Sequence, residues 1–306
     1  MSENLHFRIH GSAGLPTLVY LPGLHGDWTL ISRFRIALAG RVRLVEVTYP
    51  RRLDWSLADH GRAIMEQLAA HGIERGWLLG ESFGSQVAWA IVEQTEPTGE
   101  ERGSPDPQHF RRTKGSAGQK TRVSEKGASR PANYFVPEGV ILAGGFVRHC
   151  SATGVRLARE CSRRVPFGLL KFLFGLYGRY VQFRCRDSPE AVASIKEFVA
   201  RRTDEQDRIA MTHRYGLILQ NDLRPVARRA TLPVYCLCAM LDHLVPWPLV
   251  VPSLKRNCPG YRGSRIIFWA THNTLASAPK TSADQIVEWM QRERDRPGCI
   301  SRRSAD

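Results

Sequence analysis

The residues with the clearest capacity for chemistry are Gly80-Glu81-Ser82-Phe83-Gly84, a serine flanked by glycines at the G-x-S-x-G spacing. A serine hydroxyl becomes a useful nucleophile when a base takes its proton, and it must stand exposed on a sharp turn to reach a carbonyl. The two glycines remove side chains that would collide where such a turn brings backbone segments together. The pattern predicts a short strand at 77–79 running into the motif and a helix at 85–93 running out of it. The N-terminus of that helix would face the carbonyl where negative charge develops.

The base must come from elsewhere in the chain. Of 10 histidines, His272 is the best placed. It lies in Ala-Thr-His-Asn-Thr-Leu, just after an apolar run at 265–269 that reads as a strand, and before a last amphipathic helix at 283–292. The orienting acid should end the preceding strand, and Asp242 does so after the run at 232–240. Roughly 30 residues separate the two, enough for one helix and one strand, so both return to the same sheet edge. His243 is read as a bystander, His213 as a residue of a later helix facing substrate or water, and Asp222 as too far before its strand to be the acid. An acyl-transfer site also needs N–H donors for an oxyanion. The stretch Leu21-Pro22-Gly23-Leu24-His25-Gly26 follows the first strong strand, and the backbone N–H groups of Leu24 and Phe83 are the candidates.

The elements that would hold these residues alternate. Strands are expected at 7–10, 16–21, 41–47, 77–79, 140–143, 232–240 and 265–269. Helices are expected at 28–39, 56–70, 85–93 and 283–292, with Ser56 and Asp59 spaced as a capping box. This order implies an α/β fold, a mostly parallel sheet covered on both faces. Two stretches interrupt it. Residues 97–132 hold Gly, Ser, Pro, Lys and Arg with few large apolar side chains and are expected to form a disordered loop. Residues 146–229 separate two core strands by more than a crossover requires, and helical patterns at 154–164, 169–180, 189–201 and 204–219 suggest a helical cap. The core is then 1–145 and 230–306. Apolar residues Leu169, Leu170, Phe172, Phe174 and Leu176 read either as a pocket for an acyl chain or aromatic ring, or as packing within the cap.

The chain has 306 residues and a formal net charge of +15. The excess is uneven: 148–229 holds about 17 basic and 8 acidic residues, and 97–132 about 8 and 4, which leaves roughly +2 elsewhere. A basic cap suits an anionic surface, while no nucleic-acid recognition motif is present. No run reaches the ~18–20 apolar residues of a membrane span, and 1–11 lacks a signal-peptide core. Seven cysteines without framework spacing, Cys236 and Cys238 among them on one side of a strand, fit a reducing, cytoplasmic setting.

With donor loop, nucleophile turn, acid and base in the order Ser82, Asp242, His272, the chain resembles the α/β-hydrolase superfamily, in particular its capped serine members. The resemblance implies an eight-stranded, mostly parallel sheet, a small-molecule ester, thioester or related acyl substrate, and no metal or organic cofactor. Acyl transfer, carbon–carbon bond hydrolysis or a lyase reaction could use the same three residues, and a non-catalytic binding protein could keep the fold. Glu81 stands where many relatives have histidine and brings a carboxylate near the site. A serine at position 82 argues against the dehalogenases and epoxide hydrolases of this superfamily, which use aspartate there.

Overall fold

The computed structural model describes residues 5–95, 135–184, 189–202 and 204–296. The expected loop at 97–132 lies outside them. The described chain runs β1 (His6–His10), β2 (Thr17–Leu21), α1 (Ser32–Leu38), β3 (Arg43–Thr48), α2 (Leu57–Ala70), β4 (Arg75–Glu81), α3 (Gly84–Thr95) and β5 (Val136–Ala143). It continues through α4 (Ala152–Arg164), α5 (Phe167–Arg184), α6 (Pro189–Arg202), α7 (Glu205–Gln220) and α8 (Arg224–Arg229). Last come β6 (Val234–Ala239), α9 (Trp247–Asn257), β7 (Tyr261–Ile267), α10 (Thr274–Ser277) and α11 (Pro279–Arg294).

Among the described residues the sheet has seven strands in the order β1-β3-β2-β4-β5-β6-β7, one fewer than the resemblance implied. Pairing of β1 with β3 is antiparallel, and all other pairs are parallel. Strands β2 and β6 are buried along their whole length, as the continuous apolar runs predict for strands covered on both faces. Alternation along β2 splits its side chains between two cores. Val19 and Leu21 join α2, α3, α8 and α9 on one face, while Leu18 and Tyr20 join α1, α10 and α11 on the other. The capping box at Ser56 is formed: the Ser56 hydroxyl accepts from the Asp59 N–H, and the Asp59 carboxylate accepts from the Ser56 N–H.

Two expected elements end differently. The first helix begins at Ser32 rather than 28, because Asp27 takes the N–H and hydroxyl of Thr29 and holds that stretch in a loop. Strand β7 stops at Ile267. Trp269 has φ 61°, a conformation that ends an extended run, and the exposed Phe268 and Trp269 find no core to enter.

Candidate active site

Strand β4 carries the chain into Ser82 and α3 carries it away. Ser82 has φ 51°, unusual for a residue with a side chain. Its N–H donates to the Ala143 carbonyl of the neighbouring strand end, and its carbonyl accepts from the Ser85 N–H and hydroxyl. These bonds, with burial of both neighbours, hold a conformation that costs about 1–3 kcal/mol alone. A Cβ on Gly84 would lie 2.0 Å from the Leu21 carbonyl oxygen, and one on Gly80 2.6 Å from the Ser85 Cα. The glycine spacing is therefore a requirement of close backbone approach, and at Gly84 the approaching backbone is the end of β2.

The three residues expected to act together meet. Ser82 Oγ lies 2.9 Å from His272 Nε2, and His272 Nδ1 lies 2.9 Å from Asp242 Oδ2. The other Asp242 oxygen accepts the N–H groups of Leu244, at 3.0 Å, and Val245, at 2.8 Å. A carboxylate only accepts, so it fixes the imidazole proton on Nδ1 and leaves Nε2 as acceptor for the serine O–H. The loops bearing acid and base are joined by bonds from Met240 N–H to Ile267 O and from Leu241 N–H to Ala270 O.

The donor loop lies against the serine. A Cβ on Gly23 would meet Ser82 Cβ at 3.4 Å. The N–H groups of Leu24 and Phe83 have no hydrogen-bond partner among the described residues, as an anion-binding pair requires. Glu81 turns into the core. Tyr20 donates its hydroxyl to Glu81 Oε2 at 2.5 Å, and burial pushes the Glu81 carboxyl above its ordinary range. This weakens the negative charge beside Ser82.

Beyond the donor loop, a buried ionic cluster ties α6 and α7 to the core. Arg202 donates to Asp27, to Asp207 at 2.5 Å and to the His25 carbonyl at 2.9 Å. Burial works against charge on Asp27, but Arg202, His25 and Thr29 outweigh it and hold its carboxyl below the ordinary range. At Asp207 burial prevails over Arg202 and raises it. Arg214 donates to the Leu24 carbonyl at 2.8 Å, and burial brings its guanidinium down to about 10. His25 is brought down to about 4, chiefly by burial. A cavity of about 330 Å³, lined by His25, Gly26, Asp27, Trp28, Tyr49 and Arg214 among others, adjoins this cluster and does not touch Ser82.

The remaining sequence candidates fall outside the triad. His243 is exposed. His213 is half-buried, and its Nε2 bonds the Trp55 carbonyl at 3.1 Å, linking α7 to the core. Asp222 pairs with Arg224 and Arg148 at the surface. Cys236 and Cys238 are buried with their sulfurs 3.3 Å apart. Leu169, Phe172 and Leu176 are not among the residues lining the cavity of about 330 Å³. They are exposed, whereas Phe174 meets Phe198 of α6.

Two residues near the triad were not anticipated. Gly144, at φ 51°, lies so close that a Cβ would come within 2.9 Å of the His272 carbonyl and 3.3 Å of Asp242 Oδ2. The Ala-Gly-Gly that ends β5 is its only trace in the sequence. His149, held by the Ser151 carbonyl, sits within electrostatic range of His272 and Asp242. Burial lowers its pKa. Among the described residues, no group of three or more His, Cys, Asp or Glu side chains converges as a metal site would.

No protein-family model matches the chain, and no curated protein matches its sequence. Solved structures do match. A thermophilic esterase from Thermogutta terrifontis is 18% identical, with TM-score 0.62 over 94% of this chain and 93% of that one. An enol-lactonase from Burkholderia xenovorans is 16% identical, with TM-score 0.65 over 94% and 96%. A hydrolase from Pseudomonas aeruginosa is 14% identical, with TM-score 0.65 over 94% of each chain. The chain has the α/β-hydrolase fold. At these identities the likeness is one of fold, and the chemistry rests on the residues of this α/β-hydrolase-fold chain.

Proposed function

We propose that the protein is a serine hydrolase that cleaves a carboxylic ester or thioester through an acyl-Ser82 intermediate. The observation that carries this reading is the unbroken path from Ser82 Oγ through both His272 nitrogens to Asp242, 2.9 Å at each step. Ser82 attacks the acyl carbon while His272 Nε2 takes its proton. The carbonyl electrons move to oxygen, where the N–H groups of Phe83 and Leu24 stabilise the charge. Collapse of this intermediate expels the leaving group, which takes the proton from His272. Water then attacks the acyl-serine by the same path in reverse, releasing the acid and restoring the hydroxyl. Asp242 keeps Nδ1 protonated and stabilises the imidazolium. The helices between β5 and β6 serve as the cap, clamped to the donor loop by Arg202 and Arg214. The esterase and enol-lactonase among the matching structures support ester-type substrates.

The test is a fluorophosphonate probe followed by mass spectrometry of the labelled peptide. Label on Ser82, lost together with short-chain ester hydrolysis in Ser82→Ala, is expected. A folded protein labelled elsewhere, or not at all, contradicts the reading.

A further inference from the structure

Arg214 is 3% exposed, yet its guanidinium pairs with no carboxylate among the described residues. It donates to the carbonyls of Leu24 and Pro50 and stands 5.6 Å from the centre of the Tyr49 ring. Asp207 lies within its electrostatic range but is bound by Arg202. A buried cation is costly when no counter-charge meets it. This guanidinium lines the cavity of about 330 Å³ described above, which is bounded by β1, the loops after β2 and β3, and helices α6 and α7. That volume is in the range of small-molecule sites.

Three more arginines share the wall: Arg8, Arg51 and Arg201. Arg8 is exposed on β1, lies 4.3 Å over the Trp28 ring and forms no ion pair among the described residues. Arg51 and Arg201 are half-buried. Asp27 and Asp207 also line the cavity, but their oxygens are taken. Thr29 donates to one oxygen of Asp27 and Arg202 to the other. Arg202 also donates to Asp207 Oδ2, and Arg51 lies 3.5 Å from Asp207 Oδ1. Asp204 and Glu197 pair with Arg51 and Arg201 without lining the cavity. Even with these two counted, five arginines face four carboxylates. Donors are in excess too. The Trp28 indole N–H and the Tyr49 hydroxyl are buried in the wall and have no hydrogen-bond partner among the described residues, where most buried polar groups have one.

Cations and unspent donors around a small cavity call for a ligand that is negative and rich in acceptor oxygens. Guanidinium matches carboxylate and phosphate in both charge and fork geometry. A cation would be repelled, and an apolar molecule would leave Arg214 without its counter-charge. We propose that this cavity binds a small acid, holding its carboxylate or phosphate group among Arg8, Arg51, Arg201 and Arg214. Ser82, Asp242 and His272 do not line it, so the acid occupies a site of its own.

The experiment is calorimetric titration of the full chain with inorganic phosphate and, in a second arm, with succinate, at ionic strength held constant with sodium chloride. Saturable binding at one site per chain is expected, and the tighter of the two probes names the acid class. Arg8→Gln and Arg201→Gln should each weaken that binding about tenfold, the loss of one charge-assisted bond. Arg8 is exposed, so its variant keeps the test open if Arg201→Gln disturbs the fold. Arg228→Gln with Arg229→Gln, exposed on α8, should bind as wild type does. Saturating phosphate should leave KM for a neutral short-chain ester unchanged. No saturable binding of either probe overturns the proposal, as does wild-type affinity in Arg8→Gln. An equal loss in the Arg228/Arg229 variant would reduce the effect to general surface charge, and a competitive rise in KM would place the anion at Ser82; either result also overturns it. Binding is read without turnover, so its failure is distinct from failure of the acyl-Ser82 reading.

Discussion

Replacing Gly84 by alanine tests whether one glycine links the fold to the chemistry. The added Cβ would sit 2.0 Å from the Leu21 carbonyl oxygen, 2.7 Å from the Leu21 carbonyl carbon and 2.8 Å from the Pro22 oxygen. These are backbone atoms, so no rotamer change relieves the overlap. Restoring an ordinary 3.4 Å contact requires the end of β2 and the start of α3 to part by about 1.4 Å. That seam joins two central strands through the bonds of Leu18 to Leu21 with Trp77 to Gly80. Overpacking a rigid seam costs about 3 kcal/mol or more. The same movement carries Gly23 and Leu24 away from Ser82, and a displacement near 1 Å at a reacting centre costs about 100-fold in rate. Urea unfolding of Gly84→Ala should show the stability loss, and short-chain ester hydrolysis should show the fall in kcat/KM at temperatures where the variant is folded. Gly14→Ala is the control, because a Cβ there meets nothing within 4 Å, and it should stay within about 0.5 kcal/mol of wild type. A Gly84→Ala protein with wild-type stability and activity would refute the close approach and, with it, the proposed placement of the donor loop.

Arg202→Met should destabilise the protein by about 3 kcal/mol, because it removes the nearest counter-charge of two buried carboxylates and leaves only the more distant Arg201 beside Asp27 and Arg51 beside Asp207. Asp27 is held below its ordinary range in the folded state, so its contribution is present above about pH 4 and lost as pH falls through its folded value. The gap between wild type and variant should therefore be largest near pH 7 and narrow on acidification, and a gap that widens would contradict the assignment. Asp242→Asn should leave the unfolding midpoint nearly unchanged and lower kcat about 10³–10⁴-fold, since an amide no longer fixes the imidazole proton on Nδ1; a loss below tenfold would remove Asp242 from the mechanism. His60, like His25, is held down to about 4 by burial, so both are neutral when folded and protonate more readily when unfolded. Stability should then fall as pH drops from about 6.5 to 4, by about 1–3 kcal/mol for each histidine, and His60→Gln should flatten that slope in pH-dependent urea melts.

Much of the reaction centre was legible in the sequence, because its requirements are local or follow chain order. The two glycines of the elbow answer a clash between neighbours in the chain. Ser82, Asp242 and His272 each end a parallel strand, and successive parallel strands place such ends on one edge. Continuous apolar runs marked β2 and β6, and the Ser56–Asp59 spacing marked the start of α2. Other features depend on contacts that no local pattern encodes. Asp27 and Arg202 are 175 positions apart, and each by itself reads as a solvated charge. Gly144 owes its necessity to Asp242 and His272, which reach it from the far end of the chain. The run at 265–269 looks like one strand until Trp269 turns at φ 61°. Apolar spacing in α5 announced an apolar face, but periodicity cannot say whether a face is covered. Only the packing of α5 on α6 left Phe172 and Tyr180 exposed. Sequence by itself determined the order of elements and the residues able to react. Tertiary structure decided which charges are buried together, where the backbone must yield to a distant loop, and which apolar side chains stay exposed, because burial is a property of the whole packed chain.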